Sequence, residues 1–414
     1  MLTRTTELAA RTLGAGFFLP SLFVQRYASM GGLAPQQFAT QLQQIRSFRD
    51  EAWCGHWNAL ADAQRVHPGL SGETLRAALQ PLGSRVVEWA TCPDAAVEAA
   101  LEAAPQVPPE SRQALMALRG MVKAITYLQV SAFPGGSASR MAAYARSRAL
   151  FHEVAMVVAP LLNLQIERNV IEIDGDTVEG YLVTPPGKGP HPLAIITNGL
   201  EGTVQELAIP LLRYHDSGMA VFVMEMPGTY AYRQPMSDAS EDAYHAVIGR
   251  LSRHPRIDPQ RMGFVGVSFG GYWAARMAAR SPLLRCAVAC GAPTHHSFKV
   301  KTSIGIPDII IRALLNTTGA RTLPSLGITL HGLSLQHLYR QIQIPLLVIN
   351  GDRDTLLSTQ DSIDLAAQAP RATLKLYPHD DHCAMGHYRD WLDLSQAWLI
   401  EHLQPKHPEK QKAP

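Results

Sequence analysis

Five residues in a row, Gly266-Val267-Ser268-Phe269-Gly270, with Gly271 behind them, could present a nucleophilic hydroxyl. An apolar run over residues 262–265 precedes them, and a small-residue run that favours helix, 272–279, follows. Strand, sharp turn and helix form the setting in which a Gly-x-Ser-x-Gly string strains its serine outward. Glycines at 266 and 270 permit the tight turn, because a Cβ there would strike neighbouring backbone. The N-terminus of the following helix sets positive dipole beside developing negative charge. The chemistry this suits is acyl transfer. A serine hydroxyl becomes a good nucleophile only when a base takes its proton, so a histidine and a carboxylate must lie elsewhere in the chain.

In sites of this type the chain order is serine, acid, histidine. Residues 345–350 read as a buried strand running into Gly351-Asp352-Arg353-Asp354. A carboxylate just past a strand end can point over the carboxyl edge of the sheet, where ligands bind. Asp354 lies farther into the loop and is the preferred acid; Asp352 is the alternative, with bracing of the turn as its other role. His379, His382 and His387 all follow the strand expected at 373–377. His382, in the loop Asp380-Asp381-His382-Cys383, is the one best able to reach both partners, and the other two are expected at the surface or behind it. Two backbone N–H donors should face the developing oxyanion. One is that of Phe269. The other is that of Leu200 or Glu201, in the loop Asn198-Gly199-Leu200-Glu201-Gly202 after the strand at 193–197. The Glu201 carboxylate either braces that loop or orients substrate. His295, beside His296 after the strand at 286–290, is a candidate for the substrate-pocket wall. Two adjacent histidines without a third ligand make no metal site. Glu225, at the end of the strand at 220–224, is expected to brace the next turn. The chemistry calls for no metal and no organic cofactor.

These residues need a scaffold, and the chain divides into two textures. To about residue 159 it reads as helices. Stretches 36–63 and 95–130 carry apolar residues at three- and four-residue spacing, a further helix spans 137–158, and Pro and Gly clusters at 68–69, 81–83 and 134–136 punctuate them. From residue 164 the pattern alternates to 173, turns at Asp174-Gly175-Asp176 and is answered over 178–183, which is a β-hairpin. Short apolar runs then alternate with helical stretches, as in a parallel sheet covered on both faces. The predicted class is α/β. It is an α/β-hydrolase fold over residues 161–403, a mainly parallel sheet flanked by helices, with an N-terminal helical cap over 1–160. Residues 295–343 exceed a simple crossover and should add helices on the lid side. The Lys- and Pro-rich 404–414 reads as a disordered tail.

Composition narrows the function classes. Of 414 residues, 46% are hydrophobic and 17% charged, a globular balance. A net charge of +2 and the absence of a basic stripe give no reason to expect a nucleic-acid partner. No run approaches the roughly 20 apolar residues of a membrane span. Pro20 interrupts the apolar stretch 14–24 and Glu7 precedes it, which argues against a signal peptide. Five scattered cysteines make no disulfide framework, so a cytoplasmic location is expected.

The residues also resemble the FrsA-like α/β-hydrolases. The resemblance runs through Asn198-Gly199-Leu200-Glu201, Met226-Pro227-Gly228-Thr229, Gly266 to Gly271, Gly291-Ala292-Pro293, Asn350-Gly351-Asp352 and His382-Cys383, with the late Tyr144 helix leading into the first hairpin. It implies a Ser268-Asp354-His382 triad beneath a helical cap, a role for Glu201, and a possible homodimer formed through the cap. Family members cleave esters or amides, and some cleave carbon–carbon bonds next to a ketone. The expectation is therefore a serine hydrolase of an ester or related acyl bond in a small, partly apolar or aromatic substrate. Carbon–carbon hydrolysis of a β-diketone or polyketide type is the alternative. A non-catalytic binding or regulatory protein on a hydrolase scaffold is the rival from another class, and retention of Ser268 favours catalysis.

Overall fold

The computed structural model describes residues 51–64, 72–173, 175–299, 306 and 308–403. Expectations for residues 1–50, including the leader region and the start of the helix at 36–63, lie outside them, as does the tail at 404–414.

The N-terminal half is helical: α1 (Glu51–Ala63), α2 (Gly72–Leu79), α3 (Arg85–Thr91), α4 (Asp94–Glu102), α5 (Pro109–Ala132) and α6 (Ala138–Leu161). The single helical stretch expected over 95–130 is corrected to two helices. Pro105, Pro108 and Pro109 cannot continue α4, whereas Pro109 suits the first turn of α5. Helices α5 and α6 pack along one another, joined by residues 133–137. Trp53 and Trp57 of α1 close one end of this pair against Tyr127, Leu128 and Tyr144.

The remainder builds one eight-stranded sheet in the order β1-β2-β4-β3-β5-β6-β7-β8. The strands are β1 (Gln165–Ile173), β2 (Asp176–Thr184), β3 (His191–Thr197), β4 (Ala220–Met224), β5 (Ile257–Val267), β6 (Leu284–Cys290), β7 (Leu346–Gly351) and β8 (Ala372–Tyr377). The β1–β2 hairpin is antiparallel and β2 meets β4 antiparallel; every later pairing is parallel. Helices α7 (Val204–Leu211), α8 (Glu241–Leu251), α9 (Phe269–Arg280), α10 (Asp308–Thr318), α11 (Leu323–Gly332), α12 (Thr359–Gln368) and α13 (Tyr388–Leu403) complete the chain.

Period-two alternation divides the strand side chains between two cores. Leu193, Ile195, Phe222, Phe264, Ala287 and Val348 face the core shared with α8, α9 and α12. Ala194, Ile196, Val223, Val265, Val288 and Leu347 face the other, shared with α13 and α7. Helices α2 to α6 join that second core, so the N-terminal half is packed into the body rather than hung from it.

Register brings the catalytic candidates together. Thr197 pairs with Gly266, Val267 with Cys290, Cys290 with Ile349 and Gly351 with Tyr377. The loops leaving β3, β5, β6, β7 and β8 therefore emerge side by side at one edge. That edge tolerates no extra atom at the turn after β5, because a Cβ on Gly266 would overlap the carbonyl of Gly270. Gly266→Ala is expected to destabilise the fold by at least about 3 kcal/mol, read as a lower urea midpoint with unchanged slope. A midpoint equal to wild type would mean that the turn has room it does not show.

Candidate active site

Ser268 sits between β5 and α9 with φ 57° and ψ −124°, a left-handed conformation that a side chain rarely adopts. Two backbone hydrogen bonds hold it there. Its N–H donates to the Cys290 carbonyl at 2.7 Å, and its own carbonyl accepts from Gly271 at 2.8 Å. Gly199 of the neighbouring loop lies so close that a Cβ on it would stand 2.9 Å from Ser268 Oγ.

The hydroxyl faces an imidazole. His382 Nε2 is 2.9 Å from Ser268 Oγ, and Nδ1 of the same ring is 2.8 Å from Asp354 Oδ2. The Asp354 side chain is fully buried. Its other oxygen accepts from the N–H groups of Leu356 at 2.9 Å and Leu357 at 2.8 Å, and Asn350 Nδ2 donates to Oδ2 at 3.0 Å. Burial would push this carboxyl up, but the facing His382 and these donors outweigh it and hold it below the usual carboxylate range. Burial would push His382 down, and the Asp354 carboxylate reverses this, so the imidazole lies well above its ordinary value.

Asn350 joins the two loops. Its Oδ1 accepts from Gly351 at 2.9 Å and from Cys383 at 3.0 Å while its amide reaches Asp354. Cys383 and Ala384 take positive φ values of 57° and 48°, which turns the chain back beneath His382 and sets the Cys383 thiol 3.3 Å from Nε2. Burial raises that thiol well above its ordinary value. Asn350 and Cys383 were visible in the sequence only as neighbours of the acid and the histidine; neither carried a signal of its own role.

The alternatives go elsewhere. Asp352, just past β7, accepts from the His379 N–H at 2.7 Å, bracing the exposed turn that follows β8. His379 is exposed, and His387 pairs with Asp380 at 2.7 Å. A cavity of about 1200 Å³, including its opening to solvent, lies over Ser268. Its wall includes Leu200 and Phe269 from the two expected oxyanion loops. As the first residue of α9, Phe269 has a backbone N–H without an intrahelical acceptor. Phe298, Ile306, Ile310, Leu314 and Leu330, from the stretch containing α10 and α11, supply much of the apolar wall, with Leu356, Leu357 and Met385. Among the described residues, the N-terminal half adds Phe133.

Two expected contacts with substrate are not brought to this wall. Glu201 has φ 53°, which turns its side chain toward the α5–α6 connection, where it accepts from the Gly135 N–H. It is buried there, and burial raises its carboxyl to about 7. His295 pairs with Ser334 Oγ at 2.7 Å. Its loop is fixed by buried Asp361, whose carboxylate accepts from the N–H groups of His295 at 2.8 Å, His296 at 2.6 Å and Ser297 at 3.0 Å. That anchoring sends Ser297 and Phe298 to the wall instead. Glu225 does more than brace a turn: Tyr144 Oη donates to it at 2.7 Å, and burial raises it to about 7. Among the described residues, no group of three or more His, Cys, Asp or Glu is placed to hold a metal ion. None of their helices is long and apolar enough to cross a membrane.

Residues 83–404 match the sequence profile of the family described as Esterase FrsA-like. A curated relative, 2,6-dihydropseudooxynicotine hydrolase of Paenarthrobacter nicotinovorans, is 27% identical over 247 residues, covering 56% of this chain and 63% of its own. Esterase FrsA of Vibrio cholerae serotype O1 (strain ATCC 39541 / Classical Ogawa 395 / O395) is 24% identical over 212 residues, 50% of this chain and 51% of its own. The chain thus spans between half and two thirds of the length of these relatives. The Esterase FrsA of Photobacterium profundum is 23% identical over 332 residues, with 78% and 77% covered. Among solved structures, 2,6-dihydroxy-pseudo-oxynicotine hydrolase superposes with a TM-score of 0.66 at 20% identity, covering 92% of this chain and 95% of that one. AbyA5 gives 0.63 at 20% identity over 88% and 94%. The fold is that of the α/β-hydrolases.

The pairing of His382 with Asp354 fixes the sign of a titration. In wild type the His382 imidazole should titrate above its ordinary 6.5, and Asp354→Asn should lower that midpoint while Asp352→Asn leaves it in place. Long-range imidazole NMR spectra across pH read this directly. An unmoved midpoint in Asp354→Asn would show that the buried carboxylate does not govern the ring.

Proposed function

The chain belongs to the FrsA-like esterase family, and on that premise we propose that it is a serine hydrolase cleaving an ester or related acyl bond in an uncharged, largely apolar substrate. One observation carries the reading: a single imidazole bridges the strained Ser268 hydroxyl and a buried carboxylate, beneath an open cavity.

Ser268 Oγ attacks the substrate carbonyl carbon while His382 Nε2 takes its proton. Asp354 accepts from Nδ1–H, holding the tautomer that leaves Nε2 free and stabilising the imidazolium that forms. The negative charge that develops on the carbonyl oxygen meets the backbone donors of Phe269 and Leu200. Collapse expels the alcohol, which takes the proton from His382. Water, deprotonated by the same nitrogen, then attacks the acyl carbon, and His382 returns that proton to Ser268 Oγ as the acid leaves. Each proton and charge in this sequence has a residue assigned to it.

The wall argues for the substrate's polarity. Among the described residues, Asp381 and His382 are its ionisable groups apart from the Cys383 thiol. The Asp381 carboxylate is already taken by the Thr355 N–H at 2.7 Å, the Thr355 hydroxyl and the His382 N–H at 2.7 Å. Nothing among the described wall residues remains to pair with a charged substrate, whereas aliphatic and aromatic side chains line the rest. The free cysteines suit a reducing compartment such as the cytoplasm.

Ser268→Ala should abolish both ester turnover and fluorophosphonate labelling, and Asp354→Asn should lower kcat by about 10⁴. Asp352→Asn should stay near wild type. Lengthening a p-nitrophenyl ester from butyryl to hexanoyl should raise kcat/KM about tenfold, since each buried methylene contributes about 0.8 kcal/mol. A wild-type protein that cleaves a β-diketone but no ester has the carbon–carbon activity instead. One that neither turns over substrate nor labels at Ser268 is a binding protein.

A further inference from the structure

The N-terminal half contributes little to the described cavity wall, yet it makes buried polar contacts with one short stretch of the catalytic half. Gln129 of α5 donates to Thr203 Oγ1 at 3.0 Å, and Gln205 donates to Ser147 Oγ of α6 at 2.8 Å. At the α5–α6 connection, the Gly135 N–H reaches Glu201. Tyr144 of α6 donates to Glu225 Oε2 at 2.7 Å, and Glu225 Oε1 accepts from the N–H of Val204, the first residue of α7, at 3.4 Å. These contacts converge on residues 201–205. Immediately before them the same loop carries Gly199, packed on Ser268, and Leu200 in the cavity wall.

Tyr144 and Glu225 differ from the other contacts in what surrounds them. Glu225 and Tyr144 are both buried, and a buried carboxylate must find donors. The Tyr144 ring is held independently of its hydroxyl, stacked on Tyr230 at 4.4 Å with 5° between planes and covered by the Arg148 guanidinium at 5.2 Å. Arg148 in turn pairs with Glu179. Removing the hydroxyl alone therefore leaves the ring packed and takes away one donor to Glu225.

We propose that Tyr144, acting through Glu225, is a positioning residue: the pair fixes the start of α7 and so holds the Leu200 loop against Ser268. Helix α6 then acts on the oxyanion side of the reaction through this tie rather than through the described cavity wall. This rests on the catalytic reading given above. The loop contributes a donor to the transition state, while much of the apolar wall that binds substrate comes from other segments. Loosening the loop should therefore lower kcat and spare KM.

The test compares full-length wild type with Tyr144→Phe, Glu225→Leu and Glu225→Gln, using a p-nitrophenyl ester assay and backbone amide exchange. Tyr144→Phe should lower kcat about tenfold with KM within about twofold. Exchange should accelerate at residues 199–204 and stay unchanged in α9 and α13. Glu225→Leu removes the tie from the other side and should reproduce both effects. Glu225→Gln retains an acceptor for Val204 and a polar partner for the Tyr144 hydroxyl, so it should keep kcat within about threefold of wild type. Wild-type kcat and exchange in Tyr144→Phe would overturn the proposal, as would acceleration spread evenly over the whole sheet. If wild-type protein hydrolyses no ester and does not label at Ser268, the catalytic reading fails separately. The exchange at 199–204 then still decides whether Tyr144 and Glu225 hold the loop.

Discussion

The site depends on a backbone angle. Ser268 is held at φ 57°, and a non-glycine residue kept in such a region costs on the order of 1–3 kcal/mol, sustained only where its surroundings over-determine it. Here they do. The strand before it, the helix after it, the Cys290 carbonyl and the close backbone of Gly199 leave the residue no relaxed alternative. The result is a hydroxyl standing clear of the sheet edge, with the His382 ring 2.9 Å away. The loops after β7 and β8 are arranged around that position, and Asn350 ties one to the other.

Much of this was legible in the sequence, for reasons that differ by residue. Strand alternation and the run of short apolar segments announce a covered parallel sheet because burial imposes period two and turns impose Gly and Pro. The Gly266-to-Gly270 string is informative because its sterics are severe. Between Asp352 and Asp354, the residue farther from the strand end is the one the structure brings to His382, while Asp352 caps the neighbouring turn. What stayed hidden depends on dihedrals and distant partners. Nothing in the letters gives Glu201 a positive φ, and that one angle sends its carboxylate to Gly135 rather than into the cavity. His295 faces Ser334 because Asp361, sixty-six positions later, gathers the N–H groups of its loop. The break between α4 and α5 was marked by prolines, yet helical periodicity on both sides concealed it.

The acids of the interface form a pattern of their own. Glu201, Glu206 and Glu225 are all buried around the stretch that follows β3. Each meets a donor: Gly135 for Glu201, Asn198 for Glu206, Tyr144 for Glu225. Such groups are costly to bury unpaired, so their donors must be in place for the native packing to form. The helical half and the hydrolase core are in this sense one folding problem, which agrees with the apolar core that runs continuously between them.

The stretch bearing α10 and α11 supplies Phe298, Leu314 and Leu330 to the cavity, whereas Ser268, Asp354 and His382 all hang from strand ends. The hydrogen-bonded trio and several of the groups that define the cavity's shape thus occupy different parts of the chain. Substitutions in that stretch would therefore change the shape of the cavity without displacing any of the three strand-end residues.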